Sequence, residues 1–278
     1  MTRTRVLITG AAGGVGRACA RLFGAAHDLI LTDVVPGALD QFTEELSDDG
    51  YRVVGSYAGD LGKDAVLDLL MADLAGDAPF TLIHTAGLAP SQGDWREIMR
   101  VNLVTSAKLL DRIEPLLRPG SAGVLIASIA GYVLPPMPEI HPALDAPLAA
   151  DFLDRLAPAV ELCARDIGPD GAPAVAYMLS KLGVIRLCEQ RAARWGKDGA
   201  RIVSISPGLI MTPMGRRELA NTPGTAEARD AAPAGRPGTP MDIAIAAQFL
   251  ASDGASFISG CDLRVDGGTT AAQRPTGA

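Results

Sequence analysis

Seven short apolar runs recur along the chain, at residues 6–9, 29–32, 52–56, 81–84, 123–127, 201–206 and 262–265. Most are continuous, not alternating, which is the pattern of strands buried on both faces of a parallel sheet. Segments with helical spacing lie between them, at 14–26, 37–46, 63–74, 94–117, 174–195 and 241–252. Parallel neighbours need a crossover, and a helix after each strand supplies one. The alternation therefore predicts an α/β fold with a doubly wound sheet. The 278 residues fit a single such domain over 1–278. With 48% hydrophobic but 4% aromatic residues, its core must be aliphatic. One stretch breaks the rhythm: eight prolines fall between 134 and 173, excluding a central strand and interrupting a long helix. Leu148, Phe152, Leu153, Leu156, Val160 and Leu162 still keep helical spacing there. A helical subdomain inserted on one face is expected at about 134–173. The tail 271–278 has little to bury and is expected to fray.

The formal net charge of −7 argues against a nucleic-acid partner. Cys19, Cys163, Cys188 and Cys261 form no C-x-x-C pair, and His27, His84 and His141 are scattered, so no metal site is expected. The apolar run after Arg3 and Arg5 is too short for a signal peptide. No stretch is long and apolar enough to span a bilayer. A cytoplasmic protein without a membrane partner is expected.

The first strand runs into Thr9-Gly10-Ala11-Ala12-Gly13-Gly14-Val15-Gly16, and a helix follows. Glycines there let backbone N–H groups approach a pyrophosphate, with the helix N-terminus facing its charge. Asp33 follows the second strand, 17 positions after Gly16. An acid there accepts hydrogen bonds from ribose hydroxyls and repels the extra phosphate of NADP. With no Lys or Arg in 11–13, the expected cofactor is NAD. The ordinary reading of Asp33 is a solvated turn acid, but the loop before it favours cofactor contact.

Tyr177 and Lys181 stand four apart in a predicted helix and so share a face. A nearby ammonium is expected to lower the tyrosine pKa from about 10, making the hydroxyl a usable acid or base. Ser128 closes the fifth strand at a carboxyl end, where ligands bind. Asn102 lies inside a predicted helix, where asparagine is a poor choice. Taken singly, Ser128 reads as a strand-end cap and Asn102 as a satisfied core amide.

Together these residues resemble the classical short-chain dehydrogenases/reductases. The motifs are Thr9-Gly10…Gly14-Val15-Gly16, Asp60-Leu61, Ala86-Gly87, Asn102, Ser128, Tyr177…Lys181, Pro207-Gly208 and Val265-Asp266-Gly267-Gly268. The resemblance runs from about residue 5 to 270, the insertion aside. It implies a seven-stranded Rossmann sheet, with Tyr177 as acid/base and Lys181 binding the ribose and tuning Tyr177. Ser128 would position the substrate, and Asn102 would support a water in a proton relay. Gly10, Gly13, Gly14, Val15, Gly16, Asp33, Asp60, Leu61, Ala86, Gly87, Pro207, Gly208 and Ile210 would surround the cofactor.

Two departures stand out. His84-Thr85-Ala86-Gly87 replaces the family's frequent Asn-Asn-Ala-Gly, and 49 positions separate Ser128 from Tyr177. An insertion at that place is similar to the bacterial 3α-hydroxysteroid dehydrogenase/carbonyl reductase subgroup. His84 reads as a satisfied structural histidine. The substrate expected is a hydrophobic cyclic or aromatic secondary alcohol or its ketone, such as a steroid or terpenoid. Its pocket would be walled by Leu134, Pro135, Pro136, Met137 and Ile140, and by Leu209, Ile210, Met211 and Met214, with Arg216 and Arg217 solvated at the mouth. A homo-oligomer is expected, a dimer in preference to a tetramer. The alternative from another class is an NAD-binding redox sensor without turnover. An epimerase or dehydratase of the extended branch would need a differently spaced glycine loop.

Overall fold

The computed structural model describes residues 4–168, 171–221 and 232–273. Each apolar run forms a strand: β1 (Arg5–Thr9), β2 (Asp28–Asp33), β3 (Val53–Ala58), β4 (Phe80–His84), β5 (Ala122–Ile126), β6 (Arg201–Pro207) and β7 (Asp262–Val265). They build one sheet in the order β3-β2-β1-β4-β5-β6-β7, with every pairing parallel. The order reverses between β1 and β4, which opens a crevice beyond their carboxyl ends.

The main covering helices are α1 (Gly14–Gly24), α2 (Pro36–Asp48), α3 (Asp64–Leu74), α4 (Trp95–Met99), α5 (Thr105–Ile113), α6 (His141–Leu144), α7 (Phe152–Ala164), α8 (Gly171–Lys197), α9 (Pro213–Asn221) and α10 (Pro240–Ala251). Side chains alternate across a strand, so the continuous apolar runs feed two cores. Leu7, Leu82 and Leu125 pack with α3, α4, α5 and α8, while Val6, Ile8, Ile83 and Val124 pack with α1, α2 and α10.

One element differs from expectation. The segment 94–117 is not one helix: a π-helical turn, Arg100–Val104, joins α4 to α5, and a 3-10 turn, Glu114–Leu116, ends it. The insertion forms α6 and α7, and α7 accommodates Pro158 in its interior. The N–H that Pro158 lacks would have met the carbonyl of Asp154, an exposed residue whose carbonyl water can serve. Phe152, Leu156 and Val160 form the buried stripe of α7, whereas Leu148 and Leu162 are exposed. Arg96 approaches Asp154 at 3.5 Å, tying α7 to α4. Pro169 and the tail from residue 274 lie outside the described residues, so the expected fraying is not addressed there.

Candidate active site

Beyond β1 the chain turns through Gly10, at φ +63°, into α1. A Cβ on Gly10 would lie 2.8 Å from the Ala86 nitrogen, and one on Gly16 would lie 2.2 Å from the Gly10 carbonyl oxygen. Closure of the turn demands both glycines. The Gly13 N–H donates to the Gly10 carbonyl at 3.0 Å, and Ala11 N–H to the Thr32 carbonyl at 3.1 Å. Gly13 caps α1 without a side chain, and the first turn, Gly14-Val15-Gly16, holds no acid. Its N–H groups are left for an incoming anion. Asp33 lies over this loop, its carboxylate accepting Ala12 N–H at 3.0 Å and Val35 N–H at 3.1 Å.

Across the crevice, Ala86 and Gly87 follow β4. A Cβ on Gly87 would sit 3.1 Å from Asn102 Oδ1 and 3.5 Å from Lys181 Nζ, so cradle and reactive groups share a wall. This donor set fits a dinucleotide, with phosphate on the open N–H groups and hydroxyls on Asp33. Asp60 is exposed and accepts Gly62 N–H at 2.7 Å, while Leu61 is turned into the core. Pro207 is buried. Gly208 presses on Asp266, and Ile210 is buried and bridged to Gly238.

The reactive residues come together at the same edge. Ser128 caps the 3-10 turn Ile129–Tyr132 after β5, its oxygen accepting Ala130 N–H at 3.1 Å. It lies near enough to Tyr177 to favour the ionised phenolate. Lys181, one turn along α8, places Nζ 5.6 Å from the Tyr177 ring centre and donates to the Ile126 carbonyl at 3.0 Å. The expected fall in the Tyr177 pKa is not met in the protein alone. Burial and then the charge of Glu218 push it upward, against the effect of Ser128. Burial likewise lowers Lys181 to about 8, partly offset by Glu218. Removing both groups from water favours their neutral forms.

Asn102 occupies the π-helical turn. Its side chain accepts Leu88 N–H at 2.7 Å and donates to the Leu88 carbonyl at 3.0 Å and to Ser180 Oγ at 3.1 Å. Ser180 in turn donates to the Tyr177 carbonyl at 2.8 Å. The Asn102 backbone carbonyl accepts Ser106 Oγ at 2.8 Å. Buried His84 completes the network, with Nδ1 2.7 Å from Thr9 Oγ1 and Nε2 2.7 Å from Ser106 Oγ. Because Ser106 spends its proton on Asn102, Nε2 carries the imidazole hydrogen and Nδ1 accepts from Thr9. Burial and then Lys181 hold His84 neutral, with a pKa near 3. The histidine therefore joins β1 to the turn carrying Asn102 and has no spare capacity as a base.

A family model described as "short chain dehydrogenase" matches residues 4–139, and one described as "Enoyl-(Acyl carrier protein) reductase" matches 162–270. A 3-alpha-hydroxysteroid dehydrogenase/carbonyl reductase from Comamonas testosteroni is 30% identical over 98% of this chain and 98% of its own. The chain belongs to the short-chain dehydrogenase/reductase family. It is thus an oxidoreductase of the group that uses NAD or NADP. Galactitol 2-dehydrogenase (L-tagatose-forming) from Cereibacter sphaeroides is 29% identical over 95% of this chain and 93% of its own. An uncharacterized short-chain type dehydrogenase/reductase from Sinorhizobium fredii is 28% identical over 98% of this chain, which spans 45% of that protein. A solved 3-alpha-hydroxysteroid dehydrogenase from a Pseudomonas species, complexed with NADH, aligns with TM-score 0.74 and 26% identity over 98% of both chains. The short-chain dehydrogenase/reductase frame accounts for the paired motifs. Sequence reasoning missed Ser106 and Ser180, which hydrogen-bond around Asn102 and Tyr177, and the charge of Glu218 on Lys181. The one available signal was Glu218, a lone acid beside Arg216 and Arg217.

Proposed function

We propose that this short-chain dehydrogenase/reductase uses NAD to interconvert a secondary alcohol and its ketone on a hydrophobic cyclic or aromatic substrate. The observation that carries this reading is the convergence of Ser128, Tyr177 and Lys181 beside an open, uncapped glycine loop. When bound, the nicotinamide exchanges a hydride with the carbinol carbon. Tyr177 gives or takes the proton at the substrate oxygen. Ser128 donates to that oxygen and orients it. Lys181 holds the ribose and, when charged, steadies a developing tyrosinate. Asn102 supports a water that passes the proton onward. Asp33 favours NAD, since a phosphate beside this carboxylate would be repelled. The arginines of α1 do not offset it, because Arg17 and Arg21 both engage Glu45.

The insertion and the segment after Gly208 wall the substrate site. Leu134 and Met137 are partly buried there, whereas Ile140 and Ile210 belong to the cores. Arg216 and Arg217 are exposed. Relatives named for a hydroxysteroid and for galactitol bracket the substrate size.

The four thiols are free, which suits a reducing, cytoplasmic compartment. No described helix is long and apolar enough to cross a membrane. A dimer through β7 and α10 is supported by exposed Met241, Ile245 and Phe249, spaced as one stripe, and by Leu263 and Phe257. Packing of the insertion on α8 and its Arg96–Asp154 pair support the reading that it covers the other helical face. Light scattering at micromolar concentration is expected to give a dimer, and a monomer would contradict the pairing. Incubation with NAD and a panel of secondary alcohols tests the activity: NADH should form fastest with cyclic alcohols. A non-catalytic binding protein would form none.

A further inference from the structure

Ser128 stands at the head of the 3-10 turn Ile129–Tyr132, and Tyr132 closes it. The Ser128 hydroxyl oxygen accepts Ala130 N–H at 3.1 Å, and the Ser128 carbonyl accepts Gly131 N–H at 3.0 Å. The direction of the hydroxyl is therefore set by where the turn lies. One side of the turn rests on α8: a Cβ on Gly131 would lie 2.9 Å from the Leu182 nitrogen and 3.1 Å from the Lys181 carbonyl carbon. That close packing resists movement toward α8 but does not prevent a swing away from it. Of residues 129–132, only Tyr132 carries a side chain that can hydrogen-bond.

The Tyr132 hydroxyl donates to Asp262 Oδ2 at 2.8 Å, across 130 positions of the chain. Asp262 opens β7, and its other oxygen, Oδ1, accepts the buried Ser204 hydroxyl at 2.6 Å. Ser204 and Asp262 are partners in the β6–β7 register, so the sheet fixes the carboxylate that Tyr132 meets. Arg264 follows two residues later on the same face of β7, its guanidinium 5.5 Å from the Tyr132 ring centre. Tyr132 is 44% exposed, so packing does not hold the ring by itself. The charge-assisted bond and the cation supply what burial does not. Burial and then the Asp262 bond push the phenol pKa upward, so Tyr132 stays a protonated donor.

We infer that Tyr132 is a positioning residue: bonded to Asp262, it ties the turn to the sheet and keeps the Ser128 hydroxyl aimed at the substrate oxygen. The inference rests on the alcohol–ketone reading above, in which Ser128 orients that oxygen. In this role Tyr132 acts through Ser128, and the tie reaches the reaction as geometry. An orienting group displaced by about 1 Å can cost on the order of 100-fold in rate.

The test is a double-mutant cycle between Tyr132→Phe and Ser128→Ala, read as kcat/KM for a cyclic secondary alcohol with NAD, with NAD Kd titrated in each protein. Amide hydrogen exchange is followed in the wild type and in Tyr132→Phe. Tyr132→Phe should lower kcat/KM about tenfold, the scale of one hydrogen bond to a charged group, with NAD Kd unchanged. In the Ser128→Ala background it should lower kcat/KM no further. Exchange at Ala130 and Gly131 should quicken in Tyr132→Phe, with the rates along β5 and α8 kept. Unchanged kcat/KM in Tyr132→Phe, the same fold-loss in both backgrounds, or a loss confined to NAD Kd would overturn the inference. If the wild type turns over no alcohol, the alcohol–ketone reading fails, and amide exchange still decides Tyr132. Rates at Ala130 and Gly131 that stay unchanged, or that rise alike along β5 and α8, would overturn its positioning of Ser128.

Discussion

The two walls of the crevice are held by different forces. The cofactor wall, from Gly10 to Gly16 with Asp33 above it, closes through backbone hydrogen bonds and through glycines with no room for a Cβ. The opposite wall, formed by the insertion and the segment after Gly208 that we propose to meet the substrate, is held by side-chain packing. Ile140, Phe152, Leu156 and Val160 are buried, but Val133, Leu148, Leu162 and Ile167 face water. A wall fixed by backbone geometry tolerates few residues at each position. A wall fixed by apolar volume tolerates many, and so suits a site whose substrate varies between relatives.

The reactive residues between the walls sharpen this contrast most. Lys181→Met should lower kcat/KM by about 100- to 10,000-fold, as loss of a tuned acid/base pair does. The same variant should be more stable than the wild type. A lysine lowered to about 8 binds fewer protons folded than unfolded between its folded and unfolded pKa values, so burying its charge costs stability below about 8. That cost, on the order of 3 kcal/mol at neutral pH, should fade as pH rises from about 8 to about 10.5. Urea denaturation across that range checks both sign and window. On the cofactor wall, Gly10→Ala forces φ +63° on a residue with a Cβ. It should cost about 1–3 kcal/mol and weaken NAD binding, read by denaturation and titration.

A smaller effect is expected at Asp33. Asp33→Ala should narrow the ratio of kcat/KM for NAD over NADP about tenfold, roughly 1.4 kcal/mol. Comparable use of both cofactors by the wild type would remove Asp33 from its role. The least effect belongs to the substrate wall: Leu162→Ala, at an exposed position, should change stability by less than about 0.5 kcal/mol. A large loss there would mean that the insertion is as tightly specified as the glycine loop.

What the sequence makes legible follows the same division. Continuous apolar runs require burial on both faces, so all seven strands and their parallel setting can be read from one chain. Gly10 and Gly16 are legible because local backbone geometry requires them. Tyr177 and Lys181 are legible because helix periodicity alone puts them on one face. The π-helical turn at Arg100–Val104 is not, since the Ser106 and His84 contacts around it come from separate parts of the chain. Apolar pattern likewise cannot tell Ile140 and Ile210, which enter the cores, from neighbours that line the crevice. The direction of the Tyr177 shift depends on burial and on Glu218, which arrives from a helix beyond β6. Pairwise spacing within α8 carries no trace of either.

The central claim is that Tyr177 exchanges the proton while a hydride moves to or from a nicotinamide. Its most direct measurement is the rate of NADH formation from NAD and a cyclic secondary alcohol, in the wild type and in Tyr177→Phe, with cofactor binding titrated in both. The account predicts NADH formation by the wild type and a loss of about 100-fold or more in the variant, with NAD still bound. Full activity in Tyr177→Phe, or NAD binding without NADH formation from any alcohol by the wild type, would contradict it.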